Sequence, residues 1–351
     1  MTFLIGRTTA AGPTAHIGQY RARDGSAGAP LTVDVDGPHA MIVVGKRGYG
    51  KSYTLGVIAE ELAKTPGIAP VILDPMGVFT TLATAVPSGD GSDVMADLCR
   101  QPQVNPNSLG PRSWCRLLSL APESGAGGLV WQAASECGSI DAMRTHIERR
   151  DAPHTERRTA LNHLALAESW NVFDTDGLGI QTLSTGDATV IDLSGLSEPA
   201  MNAVAHAVAQ LLYQARIAQE MTHLPWLLID EAHIFFDGIA ESALRTLLTR
   251  GRAPGVSLVA ATQRPSALPP VALSQADILC SHRLTAQPDI DALERIQPTY
   301  LDGNFVDRLP QNPGEVVLVD DATESVHPAT IRTRDTPHGG ASPRVTDCHE
   351  S

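Results

Sequence analysis

The sequence lacks long hydrophobic runs and paired cysteines. Its longest apolar runs, at 226–229 and 256–261, are far shorter than the roughly 20 residues that a membrane span requires. No basic segment followed by an apolar stretch stands at its beginning, so we expect a cytoplasmic protein with no membrane contact. The five cysteines are scattered and form no CxxC pair, which predicts reduced thiols rather than a disulfide framework or a zinc site.

Positive charge, and lysine above all, is also scarce. The chain carries 26 lysines and arginines against 39 aspartates and glutamates, which gives a net charge of -13. This balance excludes broad coating of nucleic acid, because phosphate binding needs nearby cations, so any DNA contact must be local. The lysines are Lys46, Lys51 and Lys64, and the first two lie in one glycine-rich segment. A salt-adapted host and codon bias in a GC-rich genome explain this scarcity equally well.

Strand and helix patterns alternate along the 351 residues. Residues 40–44 form an apolar β-branched run that Gly45 stops, and 52–63 carry apolar residues at helical spacing. Runs that are apolar throughout are typical of a parallel sheet covered on both faces, so we predict an α/β three-layer sandwich. The other predicted elements are a helix from Glu198 to about Gln219 and strands at 71–73, 188–193, 226–229, 256–261, 278–281 and, as the last strand, 315–319.

The same patterns divide the chain into three parts. Residues 1–38 are rich in Gly, Ala, Pro and Thr and predict an N-terminal arm or a small β element. Residues 39–335 predict one α/β core, interrupted by a helical insertion at 81–186, where Pro and Gly clusters separate short amphipathic stretches. Residues 336–351 are polar and rich in Gly and Pro, which predicts a flexible C-terminal tail.

A glycine-rich segment carries the strongest chemical signal. It reads GKRGYGKS from Gly45 to Ser52, a complete G-x-x-x-x-G-K-S that follows a predicted strand and opens a predicted helix. Successive backbone N–H groups of such a loop wrap phosphates, Lys51 reaches the β and γ phosphates, and the Ser52 hydroxyl binds Mg²⁺. The sequence therefore predicts an ATP and Mg²⁺ site. Its predicted nucleotide contacts are Gly45, Gly48, Tyr49, Gly50, Lys51, Ser52 and Tyr53.

Two further predicted strands end in polar residues. The run at 226–229 ends in Asp230, predicted to help hold the Mg²⁺ shell, and Glu231, predicted to polarise the attacking water. Solvated surface acids are the alternative interpretation of that pair. The run at 256–261 is followed by Gln263, which we expect to sense the γ-phosphate and the lytic water. The predicted catalytic residues are therefore Lys51, Glu231 and Gln263. His233, after the acidic pair, is predicted to be a core or switch residue.

Four segments together resemble the HerA/FtsK superfamily of DNA-pumping P-loop ATPases, and most closely its archaeal-type HerA branch. They are GKRGYGKS, ILDPMG ending at Gly77, LLIDEAH and ATQRPS. The resemblance spans about 40–340 and implies a RecA-like core with an extra strand between the P-loop strand and the acidic-pair strand, which we assign to 188–193. It also implies a homo-oligomeric ring, typically a hexamer, with double-stranded DNA in its channel.

A ring ATPase also needs a cation from the neighbouring subunit to stabilise charge on the γ-phosphate. Arg252 and Arg283 lead as candidates for this trans arginine finger on position alone, and each competes with an ordinary surface or salt-bridged role. Arg250, Arg332 and Arg334 are further candidates.

The chain departs from the family pattern at two places. The residues before Ala40 are too few for the usual N-terminal β-barrel, and Val78 stands where the family often has an acid. A DNA translocase or helicase-like motor with DNA-stimulated ATP hydrolysis is the leading functional hypothesis. The alternatives are a ring ATPase that scaffolds a partner nuclease or effector, a viral or plasmid genome-packaging or transfer ATPase, and a non-catalytic nucleotide-binding module.

Overall fold

The computed structural model describes residues 2–9, 11–22, 24–84, 94–296, 299–300 and 304–340. The strands within them are β1 (Phe3–Ile5), β2 (Thr14–Arg21), β3 (Ala27–Asp34), β4 (Ala40–Val44), β5 (Ile68–Asp74), β6 (Ala96–Cys99), β7 (Ala188–Asp192), β8 (Leu224–Ile229), β9 (Ser257–Thr262), β10 (Ile278–Ser281), β11 (Glu315–Asp320) and β12 (Ser325–Ile331). The helices are α1 (Lys51–Ala63), α2 (Pro111–Leu117), α3 (Gly125–Glu136), α4 (Ile140–Arg149), α5 (His154–Ser169), α6 (Ile180–Leu183), α7 (Glu198–Ile217), α8 (His233–Phe236), α9 (Glu241–Arg250), α10 (Pro270–Ser274) and α11 (Gln287–Glu294).

One sheet joins the described strands, in the order β1-β3-β2-β12-β11-β10-β4-β9-β8-β5-β7-β6. From β10 to β6 every neighbouring pair is parallel, whereas β10, β11, β12, β2 and β3 pair antiparallel in turn. The predicted mixed α/β fold with a mostly parallel central sheet is confirmed.

Both faces of the sheet are covered. Successive residues of β4 point to opposite sides, so that Ile42 packs with α7 and the helices after β8, whereas Val43 packs with α1. Apolar side chains on both faces explain why the central strands are apolar throughout instead of alternating. The layers are therefore helix, sheet and helix, with the second helical layer extended by α2–α5.

The carboxyl ends of the seven parallel strands, from β10 to β6, share one edge of the sheet. Val44 at the end of β4 lies opposite Thr262 of β9, and Ile229 of β8 lies opposite Ala260. The loops that follow β4, β8 and β9 therefore leave the sheet side by side. This edge holds the predicted phosphate loop, acidic pair and glutamine.

Two details of the predicted sheet are wrong. The strand between β4 and β8 is β9, and the strand assigned to that place, Ala188–Asp192, instead pairs with β5 on the far side. Strand order depends on tertiary packing, which apolar runs do not encode. The strand at 315–319 is also not the last, because β12 follows it. Polar residues such as His327 and a proline at 328 break the apolar pattern of β12 and hide it in the sequence.

The regions flanking the core have defined places. Residues 1–38 contain β1, β2 and β3, which continue the sheet beyond β12. The segment 81–186 holds β6 at the opposite end of the sheet and helices α2–α6, and its residues 85–93 lie outside the described part. The predicted tail, 336–351, is described only to Gly340, and Thr336 within it is buried. Among the described residues the cysteines are free thiols, and no helix has the length and apolarity needed to cross a bilayer.

Candidate functional site

The phosphate loop joins the end of β4 to the start of α1. Gly48 and Gly50 have φ angles of 80° and 107°, a left-handed backbone that favours glycine. Gly50 is the residue before the first turn of α1, so the free amides of that turn face the loop. A Cβ at Gly48 would meet nothing within 4 Å, so this part of the loop borders open space. The loop thus has the shape and the exposed amides that phosphate binding requires.

A cavity of about 530 Å³ lies over this loop. Its phosphate end is formed by Lys51, Ser52 and Glu231 together with the loop glycines 48 and 50. Three other segments of the chain, 76–78, 313–314 and 331–340, complete its lining. The described residues that line the cavity are Arg47, Gly48, Gly50, Lys51, Ser52, Tyr53, Thr54, Met76, Val78, Asp230, Glu231, Pro313, Gly314, Ile331, His338 and Gly340.

Ser52 and Asp230 are directly bonded. The Ser52 hydroxyl donates to Oδ2 of Asp230 over 2.6 Å. Lys51 beside them is 5% exposed, and its Nζ donates to the Lys46 carbonyl over 3.4 Å. The structure therefore brings the predicted metal ligands together at the start of α1, with the lysine held next to them.

Three buried or half-buried carboxyls surround this point. Burial raises the pKa of Asp230, and burial together with the charge of Asp230 raises the pKa of Glu231. Burial also raises the pKa of Asp74 to about 6, although its oxygens accept backbone N–H groups from residues 76, 78 and 79. Burial lowers the pKa of Lys51, the ammonium beside Asp230 and Glu231. These shifts follow mainly from burial of the four groups, and the site places three carboxyls around one ammonium.

The donor set fits Mg²⁺. A hydroxyl from Ser52 and a carboxylate from Asp230 are the oxygen ligands that Mg²⁺ prefers, and it completes its shell with phosphate oxygens and water. Within the described ranges, no group of three or more His, Cys, Asp or Glu is arranged to hold a metal ion. A cation at this point would therefore depend on the nucleotide for part of its coordination, and it would offset the excess of carboxylates.

Glu231 has an unusual backbone and an unsatisfied oxygen. Its φ of 48° places it in the left-handed region, which a non-glycine residue seldom adopts. Its N–H donates to Oδ1 of Asp230 over 3.0 Å, and its buried Oε2 accepts no hydrogen bond from the described residues. His233 Nδ1 lies 3.5 Å from that oxygen and 3.2 Å from Oγ1 of Thr262. Such a carboxylate, which lines the cavity and has one oxygen that accepts no hydrogen bond, can accept a proton from a bound water.

Gln263 lies next to Glu231 but not in the cavity lining. Its backbone amide lies against the Glu231 carboxylate and lowers the pKa of that group, which opposes the effect of burial. The side chain of Gln263 is half-buried and does not line the cavity. The structure therefore places the predicted sensor beside the acidic pair and connects it through its main chain.

His282, which no sequence motif indicates, packs against Gly45 at the start of the phosphate loop. Its side chain is fully buried after β10, its Nε2 lies 2.9 Å from Oγ1 of Thr54, and its Nδ1 has no hydrogen-bond partner among the described residues. Burial and the charge of Lys51 lower its pKa to about 4, so the ring is neutral. A Cβ on Gly45 would lie 2.5 Å from the Cβ of His282, so only glycine fits there.

The two leading arginine candidates occupy different edges. Arg283 follows β10 next to the phosphate loop, where its carbonyl accepts the Lys46 N–H over 2.8 Å and its Nη1 donates to the Gln311 carbonyl. Arg252 pairs with Asp277 over 3.1 Å, and Asp277 in turn accepts the N–H of Ala40 at the start of β4. Arg252 therefore lies at the amino edge of the sheet, away from the phosphate loop of its own subunit.

Arg332 and Arg334, by contrast, are paired within the chain. Arg332 Nη2 lies 3.0 Å from Glu60, and Arg334 Nε donates to Glu60 over 3.3 Å. The Arg334 side chain is 1% exposed. Arg334 therefore does not reach across to a neighbouring subunit, contrary to the prediction, because its guanidinium forms a buried ion pair with Glu60 of the same chain.

The chain is similar to one known protein family in sequence and to several solved structures in fold. The family model described as helicase HerA, central domain, matches residues 15–212, more than half of the chain. No curated protein matches the sequence. VirB4 of Thermoanaerobacter pseudethanolicus shares the fold with a TM-score of 0.70 and 16% identity, over 94% of this chain and 99% of that one. The bacterial conjugative coupling protein TrwBΔN70 has a TM-score of 0.56 and 15% identity, over 85% of this chain and 86% of that one.

Proposed function

Because the chain belongs to the helicase HerA central-domain family of P-loop ATPases, we propose that it hydrolyses ATP to drive movement along double-stranded DNA. The observation that carries the hydrolytic part is the meeting of Lys51, Ser52, Asp230 and Glu231 at one cavity. The DNA part rests on family membership and on the segments that resemble HerA/FtsK motors. A cytoplasmic homo-oligomeric ring, most simply a hexamer, is part of the proposal.

In the proposed reaction, the chain's own residues position the phosphates and the water. Amides of residues 48–52 bind the β and γ phosphates, and Lys51 adds its charge to the terminal group. Ser52 and Asp230 hold Mg²⁺, which when bound neutralises developing charge on the phosphate oxygens. Glu231 accepts a proton from the attacking water through its unsatisfied Oε2. Gln263, connected to Glu231 through its backbone, passes the state of the γ-phosphate to the segment after β9.

In a ring, we propose that either Arg252 or Arg283 stabilises the transition state in the neighbouring subunit. Such an arginine acts on charge that develops only during hydrolysis. Substituting it with alanine should therefore lower turnover by about 10³-fold in assembled protein and leave nucleotide affinity within about twofold. The two alanine variants distinguish the candidates, because only one of them should show this pattern. Equal, unchanged turnover in both would remove both assignments.

Two alternatives use the same chemistry with another partner. A ring ATPase that scaffolds a partner nuclease or effector, and a viral or plasmid genome-packaging or transfer ATPase, both require ATP turnover at this cavity. The likeness to VirB4 and TrwBΔN70 shows a shared fold and does not favour one of them. They differ from the leading proposal in what stimulates turnover.

The deciding experiment measures ATP turnover and oligomer mass, each with and without double-stranded DNA and at two salt concentrations. We expect duplex DNA to raise turnover and to promote ring assembly, with a weaker effect at higher salt because phosphate contacts are screened. Lys51→Ala should abolish nucleotide binding, and Glu231→Gln should keep binding but stop turnover. Turnover that ignores DNA at both salt concentrations overturns the translocase proposal. Measurable turnover in Glu231→Gln overturns the assigned role of that residue.

A further inference from the structure

Residues 332–340, which we call the C-terminal strap, cross the outer face of α1. They follow β12, contact the end of α1 near Glu61 and reach the phosphate cavity at His338 and Gly340. The phosphate-binding residues of the proposed function line the same cavity. The strap therefore forms part of the wall of the cavity that also holds the phosphate loop.

A buried carboxylate fixes the strap in place. Glu60 of α1 is fully buried, and the strap surrounds it with donors. Oε1 accepts from the Thr336 hydroxyl over 2.6 Å, from the Thr336 N–H over 3.0 Å and from Nε of Arg334. Oε2 accepts the N–H of Asp335 over 3.1 Å and lies 3.0 Å from Arg332 Nη2. A buried charge is tolerated only when paired and hydrogen-bonded in this way, so the strap has a defined position.

The helix surface is shaped to receive the strap. A Cβ on Gly56 would lie 2.6 Å from Cζ of Arg334, so the absence of a side chain at 56 lets the guanidinium lie against the helix. One turn earlier, the Tyr53 hydroxyl accepts the N–H of Arg334 over 2.7 Å. Tyr53 thus connects the strap to the first turn of the phosphate-binding helix.

At the cavity, the strap forms an aromatic pair with α1. The rings of Tyr53 and His338 meet edge to face, with centroids 5.4 Å apart and planes at 69°. Nη1 of Arg334 lies 3.3 Å from Nδ1 of His338 and can only donate, so Nδ1 accepts and Nε2 carries the proton. Burial and the charge of Arg334 both lower the pKa of His338, which keeps the ring neutral near pH 7. A neutral, exposed imidazole with a free N–H is suited to contact a purine base, by stacking and by donating a hydrogen bond.

The division of the cavity indicates which ligand group reaches this pair. Its polar end, from Gly48 to Ser52, takes the phosphates under the proposed function. The nucleoside attached to them must occupy the rest of the cavity, where the described lining includes Val78, Pro313 and Ile331. Of the described lining residues, Tyr53 and His338 carry the aromatic rings on which a base can stack.

We propose that the nucleotide base binds at the Tyr53–His338 pair. Through His338, the C-terminal strap makes this ATPase recognise a nucleoside in addition to a polyphosphate. This inference rests on the proposed nucleotide site and adds to it the residues that bind the base. His338 is the specificity-determining member, because Tyr53 is also bonded to the strap backbone and contributes to its position.

The experiment compares ADP with inorganic pyrophosphate, in the presence of Mg²⁺, by calorimetry on the full chain. His338→Ala should weaken ADP binding about tenfold, the loss expected for one base–aromatic stack, and leave pyrophosphate binding within about twofold. His338→Phe should restore most of the ADP affinity. His154→Ala, at an exposed position on α5 away from the cavity, is the matched control and should change neither affinity.

Each other outcome has a defined meaning. Unchanged ADP affinity in His338→Ala overturns the proposed base-binding role of His338. Equal losses for ADP and pyrophosphate also overturn it, because the strap would then act only on the phosphate loop. Loss of ADP affinity that His338→Phe fails to restore overturns the stacking role. A parent chain that binds neither ADP nor pyrophosphate overturns the proposed nucleotide site itself, and with it the base-binding role of the Tyr53–His338 pair.

Discussion

The hydroxyl of Ser52 donates a 2.6 Å hydrogen bond to the carboxylate of Asp230, two residues 178 positions apart in the sequence. This bond joins the first turn of α1 to the end of β8. It points two oxygen ligands at one place, next to the phosphate loop. Under the proposed function, the two residues together determine how strongly the site binds Mg²⁺.

Ser52→Ala and Asp230→Asn should each raise the Mg²⁺ concentration needed for half-maximal nucleotide binding by about tenfold or more, because each removes an oxygen ligand or its partner. The double variant should cost less than the sum of the two, since the residues act as one unit. A titration of nucleotide binding against Mg²⁺ measures this. Additive losses, or no change in Mg²⁺ dependence, contradict the shared site.

Removing His282 should loosen the phosphate loop. His282→Ala leaves space beneath Gly45 and removes the partner of the Thr54 hydroxyl, so we expect weaker ADP binding by about tenfold and a stability loss of about 2 kcal/mol. His206→Ala is the matched control, because His206 is a fully enclosed histidine on α7 that bonds the Ile239 carbonyl far from the loop. It should lose similar stability and keep its ADP affinity. Equal affinity losses in both variants would count against a local role of His282.

Glu60→Gln should destabilise the chain far more than Glu61→Gln. Glu60 is fully buried and holds two arginines, so its neutralisation leaves the enclosed guanidinium of Arg334 without a counter-charge, at a cost of about 3 kcal/mol. Glu61 is part-exposed, and its ion pairs with Lys64 and Arg332 are worth about 1 kcal/mol or less. Urea unfolding of the two variants measures the difference. Equal midpoints would show that the strap is not anchored by Glu60.

Stability should fall as the pH rises through about 9, on account of His39. Its ring lies 2.6 Å from Asp277 and 3.1 Å from Asp34, and these carboxylates overcome burial and raise its pKa from 6.5 to about 9. Arg7 and Arg252 face the same two carboxylates. Since the pKa is higher in the folded chain, the contribution is complete below about pH 6.5 and is lost by about pH 9.5, a difference of about 3 kcal/mol.

The measurement for His39 is the free energy of unfolding at a series of pH values, for the parent and for His39→Gln. The parent should lose stability relative to the variant between pH 6.5 and 9.5, and the two curves should run parallel below that range. Parallel curves across the whole range would mean that His39 does not carry a proton in the folded chain.

Local patterns in the sequence were sufficient to predict the central elements. Glycines at fixed spacing after an apolar run predict the phosphate loop, because both the φ angles and the helix start are determined by neighbouring residues. The run at 278–281 is a strand with the predicted bounds. A buried parallel strand needs apolar residues on both faces, and that requirement leaves a clear trace in the sequence.

Contacts between distant segments left no such trace. The order of β4, β9 and β8 depends on which helices cover each face, so the placement of 188–193 between β4 and β8 was wrong. His282 and Glu60 look ordinary in the sequence because their partners, Gly45 and the strap, lie far away along the chain. Val78, noted only as a departure from the family pattern, lines the cavity beside His338.

The pairing of β2 with β12 determines the order in which parts of the chain can fold during synthesis. Arg332, just after β12, donates to the carbonyl of His16 in β2, a residue 316 positions earlier. During synthesis, β2 and β3 therefore have no place in the sheet until residues 325–331 have left the ribosome. The strap that follows β12 cannot reach Glu60 before then either. A nascent chain consequently carries its phosphate loop long before its cavity lining is complete, so full nucleotide affinity should appear only after residues 332–340 have left the ribosome.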